Sequence, residues 1–65
     1  MRKYYEVIGK NFDDDWETIK LNIKTKKEAI KIARQQDKKK WKIIDINLIV
    51  DDDLTETYDR NGKIR

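Results

Sequence analysis

Trp41 to Val50, WKIIDINLIV, is the longest apolar-rich run in the chain, and it has two faces. Side chains on an extended strand alternate with period two. Ile44, Ile46, Leu48 and Val50 therefore share one face, and Trp41, Ile43, Asp45, Asn47 and Ile49 share the other. The first set is wholly aliphatic and reads as core. The second mixes two polar residues with three large apolar ones. Such a strand suits the middle of a sheet that is covered on one side only.

Working outward, Lys3 to Ile8, KYYEVI, reads as a first strand with Tyr5 and Val7 on one face and Tyr4, Glu6 and Ile8 on the other. Gly9 to Asp15, GKNFDDD, has the composition of a turn. Trp16 to Ile23, WETIKLNI, alternates again: Ile19, Leu21 and Ile23 are expected on its core face, and Trp16, Thr18, Lys20 and Asn22 on the far face. The short connection makes the two strands a hairpin.

Thr25 opens a helix, with Glu28 completing a T-x-x-E capping box. Ala29, Ile30, Ile32 and Ala33 gather on one side at 100° per residue. Asp37 and Lys40 would turn inward if the helix ran on, and a buried unpaired charge is costly, so an end near Gln36 is expected. Asp51 to Asp53 is a tight acidic turn, and Leu54 to Asp59, LTETYD, is a fourth strand. Asn61-Gly62 marks a turn in a tail, 60–65, expected to fray.

The fold predicted is α+β with element order β-β-α-β-β. A strand–helix–strand crossover makes the second and third strands parallel. With the first strand between them, the sheet order is 2-1-3-4 and every neighbouring pair is antiparallel. The one helix packs on one face, against Tyr5, Val7, Ile19, Leu21, Ile23, Ile44, Ile46, Leu48 and Val50. No second helix is left for the other face.

The 65 residues suffice for a single domain that buries a modest core. There is no Cys for a disulfide or a thiolate metal site. A chain so small gains from self-association, so a homodimer and a monomer are both compatible with its size. No apolar stretch nears the roughly 20 residues of a membrane span, and the N-terminus lacks a signal-peptide core, so a cytoplasmic, membrane-free protein is expected. Charged residues make up 45% of the chain, yet the net charge is only +3. The excess of Lys over Arg and the abundance of Ile lean toward AT-rich coding, as in an AT-rich bacterium or one of its mobile elements.

Catalysis is disfavoured by the residues present. The chain has no His, Cys or Ser, so neither a Ser-His-Asp nor a Cys-His arrangement can form. It has no Gly-rich phosphate loop and no dinucleotide fingerprint, and no cofactor is expected. Carboxylates cluster in Asp13–Asp15 and Asp51–Asp53, but the expected topology puts those turns at opposite ends of the sheet. DDDWET also lacks the glycine and the spaced acids of a calcium loop.

Two surfaces are candidates for binding. The uncovered sheet face would present Tyr4, Ile8, Trp16, Trp41, Ile43 and Ile49, with Glu6, Thr18, Lys20, Asn22, Asp45 and Asn47 between them. Contiguous exposed apolar surface marks interaction sites, and Trp and Tyr concentrate binding energy there. The first expectation is thus a non-catalytic module docking a protein partner, or its own copy, through Tyr4, Trp16, Trp41, Ile43 and Ile49. Its size suits a mobile-element regulator or an inhibitor of a host complex. The alternative is nucleic-acid binding. Lys27, Lys31, Arg34 and Lys38 form a stripe opposite Ala29 and Ala33, and Lys38, Lys39 and Lys40 follow it. Cations in such a row contact phosphates and release counterions; the same row also suits a solvated face at a helix C-terminus, and the Lys38–Lys40 turn is expected at the same end of the sheet as Asp13–Asp15, where the two can screen each other.

Ile23 to Ala29, IKTKKEA, resembles the strand-to-helix step of several small modules, including the arm-type DNA-binding domains of phage integrases. Those domains run three strands before the helix and this chain runs two, so no function is carried over from them.

Overall fold

The computed structural model describes residues 1–65. Strands β1 (Lys3–Lys10) and β2 (Trp16–Ile23) form the hairpin, helix α1 (Lys26–Gln35) crosses over, and β3 (Ile43–Val50) and β4 (Asp53–Asp59) form a second hairpin. The sheet order is β2-β1-β3-β4, with every neighbouring pair antiparallel. This is the α+β arrangement expected from the alternation.

Cross-strand register assembles the core. Tyr5 pairs with Leu48, Val7 with Ile46 and Gly9 with Ile44, while Ile46 also pairs with Tyr58. Val7 and Ile46 at the sheet centre are completely buried. The helix rests on this face through Ala29 and Ala33, both at 0% exposure. Two small residues four apart bring the helix close to the sheet. Ile30 and Ile32 pack at the margins of the cluster. Thr25 caps the helix, its Oγ1 accepting from the Glu28 amide at 3.2 Å. At the other end Gln36 leaves helical conformation, and Asp37 and Lys40, which a longer helix would turn inward, stay exposed.

Three expectations are corrected. The first concerns Trp41. It is 8% exposed and belongs to the core beneath the helix, instead of the open sheet face. Strand β3 begins only at Ile43. Before it, Asp37 builds a turn: its Oδ1 accepts from the Lys39 amide and its carbonyl accepts from the Lys40 amide. The chain bends again at Lys42, whose amide donates to the Lys10 carbonyl at 2.7 Å. Alternation holds only along an unbroken pleat, so it cannot be projected back through this bend. The indole instead covers Gly9, where a Cβ would come within 2.5 Å of its Cε3.

The second concerns Leu21, which is 46% exposed and outside the core. Two register shifts interrupt the β1–β2 pairing, one between Tyr5 and Val7 and one between Val7 and Ile8. Val7 thereby faces Lys20, and Tyr5 faces Ile23. Each extra residue flips the face of the residues after it. Asn22, at φ 57°, absorbs part of the distortion. Ile19 and Ile23 still reach the core.

The third concerns the tail, which folds back instead of fraying. Asp59 accepts from the amides of Asn61 and Lys63 through Oδ1, and Ile64 bridges Tyr58. The Arg65 amide donates to the Thr57 carbonyl at 3.0 Å, and its guanidinium pairs with Asp45 at 2.7 Å. The Lys63 amide above all, helped by the Asn61 amide and the charges of Arg65 and Lys63, holds the Asp59 carboxyl below its ordinary range against an opposing desolvation. Gly62 makes the turn at φ +86°, where a Cβ would lie 2.5 Å from Ile30 Cδ1. Gly62→Ala should therefore destabilise the fold by about 1–2 kcal/mol in urea unfolding. An unchanged midpoint would mean that the tail does not pack on the helix.

Candidate functional site

The open sheet face is less apolar than its sequence suggests. Tyr4, Ile8 and Ile43 are half-buried, and Ile49, between Tyr4 and Leu54 in register, is 8% exposed. The expectation that Trp41 and Ile49 offer binding surface is thus corrected: one is core, and the other is closed in by its cross-strand neighbours. Asn47 is also buried, at 7% exposure. Its Nδ2 donates to Glu6 Oε1 at 3.0 Å, and its Oδ1 accepts from Thr57 Oγ1 at 2.8 Å. This polar row, satisfied within the sheet, separates Tyr4, Ile49 and Leu54 from Ile8, Ile43 and Trp16. The Asp45–Arg65 pair lies on the same face. Trp16 is 49% exposed, with Lys10 Nζ 5.9 Å from its ring centroid. The structure gathers no single apolar patch from the five residues.

The acidic turns do structural work at opposite ends of the sheet. Asn11 Oδ1 accepts from the amides of Asp13 and Asp15, which lets Asp14 adopt φ 65°. Asp14 then accepts from Lys42 Nζ at 2.9 Å, with Lys10 Nζ at 3.9 Å. This ties the first turn to the start of β3. At the far end Asp51 accepts from the Arg2 amide, and Asp52 lies 4.0 Å from the Arg2 guanidinium.

The Lys42 hydrogen bond, then the charges of Lys42 and Lys10, hold the Asp14 carboxyl below its ordinary range, while desolvation opposes them weakly. A carboxyl with a depressed folded pKa stabilises the fold above its unfolded pKa. That contribution is lost as pH falls through the folded value. Asp14→Asn should lower the urea midpoint at neutral pH, and the difference from the native protein should close below about pH 4. A difference that persists at low pH would assign the effect to the turn backbone instead.

The helix side is different in kind. Lys27, Lys31, Arg34, Lys38, Lys39 and Lys40 are all exposed. None of the six is in an ion pair; the four ion pairs of the chain use Arg2, Lys10, Lys42 and Arg65. Buried Ala29 and Ala33 fix the orientation of the helix, so Lys27, Lys31 and Arg34 must point away from the sheet. Lys27, Glu28, Ile30, Lys31, Arg34 and Gln35 line a shallow surface depression there. The Asp37 turn carries the row on through Lys38–Lys40, and Lys40 Nζ sits 5.3 Å from the ring centroid of Trp41.

Periodicity alone misses two cations at the margins of this surface. Arg60 Nη2 donates to the Arg34 carbonyl at 3.4 Å, which brings a tail cation to the end of the helix. Lys26 Nζ lies 4.0 Å from the ring centroid of Tyr58. No helical spacing signals either one, because both depend on how the C-terminal segment folds back.

Segregation of charge follows from this geometry. Residues 24–42 carry nine cations against two acids, a net +7. The other residues carry seven cations against eleven acids, a net −4. The overall +3 conceals this division. No helix is long and apolar enough to cross a membrane. Comparison of the chain with protein-family models, with curated proteins and with solved structures returns no match.

Proposed function

We propose that this chain is a non-catalytic binding module that docks its cationic helix side on the sugar-phosphate backbone of nucleic acid, in the cytoplasm. The observation that carries this reading is the row of exposed cations Lys27, Lys31 and Arg34, turned away from the sheet and free of ion pairs, within a segment, residues 24–42, of net +7. Charges within roughly a Debye length, about 8–10 Å, act together on a polyanion. The ten-residue helix is about 15 Å long, so neighbouring members of the stripe fall within that range. Counterion release from the polyanion then supplies the binding free energy.

The test is fluorescence anisotropy of the 65-residue chain with a labelled oligonucleotide across a salt series. Four to six phosphate contacts predict that log K falls with log salt at a slope of roughly −3 to −5. Absence of binding at low salt, or a slope near zero, would defeat the reading. Binding confined to an acidic protein or to anionic vesicles would reassign the surface.

A protein partner on the open sheet face is the second reading. The exposure of Trp16, Leu21 and Leu54, at 49%, 46% and 61%, favours it. The polar row through Asn47 divides that surface, which places this reading behind the first.

A further inference from the structure

We infer that the nucleic acid taken by the helix side is double-stranded and is held by its backbone, with no reading of base sequence; this rests on the function proposed above. Binding a single strand without sequence preference uses aromatic platforms set beside the cations, on which bases stack. The helix side has no such platform. Tyr5, Trp41 and Tyr58 are all in the core. Trp16 and Tyr4 lie on the opposite face of the sheet. Phe12, 63% exposed, precedes the run Asp13–Asp15, whose charge repels a phosphate strand. None of Lys27, Lys31 and Arg34 lies over a ring, and the rings beside Lys26 and Lys40, those of Tyr58 and Trp41, are buried.

Base readout from this surface is disfavoured by the same residues. Reading a base edge requires donors and acceptors carried into a groove. The helix offers Gln35 as its one exposed amide, while Gln36 Nε2 already donates to the Ile32 carbonyl at 3.2 Å. The carboxylate of Glu28 sits in the first turn, the end that recognition helices insert. On the proposed docking Lys27, Lys31 and Arg34 meet phosphates instead of the guanine edges that Arg and Lys can also read, and phosphate contacts position without specifying.

What the surface does offer is a straight, rigid row of charge. From Lys27 to Lys31 the rise along the helix is about 6 Å, and from Lys31 to Arg34 about 4.5 Å. A duplex is its natural counterpart: it is stiff and carries one negative charge per roughly 1.7 Å of axis. It also returns more counterions per contact than a single strand, about 0.9 against 0.7.

The experiment compares three labelled ligands of equal length with the whole chain at low salt: two duplexes of unrelated sequence and one constituent single strand. The duplexes should bind within about threefold of each other, and the single strand should bind more than about threefold weaker. A single strand within that factor of the duplexes, or tighter, overturns the inference while leaving the nucleic-acid reading in place. Greater discrimination between the duplexes overturns the claim of no base readout. Failure of all three ligands to bind removes the underlying reading itself.

Discussion

Trp41→Ala should cost about 3–5 kcal/mol of folding stability, the range for deleting a buried large aromatic. A chain of this length holds roughly 3–10 kcal/mol in total, so the variant should lose about a third of its stability or more. The effect is large because the indole fills the place that Gly9 leaves open. A Cβ on Gly9 would meet Trp41 Cε3, Cδ2 and Cζ3 at 2.5, 2.8 and 2.9 Å. Ring and glycine thus form one packing unit joining β1 to the segment before β3. Trp41→Phe should lose much less, about 1–2 kcal/mol, because it keeps a ring over Gly9. It also removes Nε1, a buried donor with no hydrogen-bond partner in the fold. Trp16→Ala, at a half-exposed position, should change stability by only about 0.5 kcal/mol. Urea unfolding followed by circular dichroism separates the three. Equal small effects at Trp41 and Trp16 would return Trp41 to the surface.

That contrast shows where sequence reading succeeds and where it stops. Both hairpins, the helix and the 2-1-3-4 order follow from periodicity, the Thr25 cap and the short turns. Tyr5, Val7, Ile44, Ile46 and Leu48 fall in the core because β1 and β3 pair with no register shift along Lys3–Lys10. The failures sit where the pleat is interrupted. Trp41 lies before the bend at Lys42, and Leu21 lies among the bulges of an edge strand. A bulge leaves no fixed mark in composition, and both changes reverse a side chain's face. Burial of Asn47 was hidden for another reason: its partners Glu6 and Thr57 come from two different strands. The tail depends on contacts of Gly62 and Arg65 with residues far away in sequence. The cationic stripe was legible at once, since helical spacing is local. Its significance was not, because it depends on where every carboxylate folds to.

Replacing Lys27, Lys31 and Arg34 together by Gln should reduce affinity for duplex nucleic acid by roughly a hundredfold or more near 0.1 M salt. Each lost phosphate contact removes about one unit from the salt slope, so the slope should flatten by about three. Gln keeps the helix propensity and stem of the original side chains, which confines the change to charge. Folding stability should move by less than about 1 kcal/mol, since none of the three is buried or ion-paired. Circular dichroism and the urea midpoint check that condition. A variant that unfolds would indicate a packing role for the lysine stems.

The most direct measurement sets that helix variant beside Trp16→Ala/Leu21→Ala, with one labelled duplex titrated by anisotropy at fixed low salt. The helix variant should lose binding, and the sheet variant should keep native affinity within about twofold. The opposite pattern, with binding lost at the sheet and kept at the helix, would contradict the assignment of the working surface to the helix side.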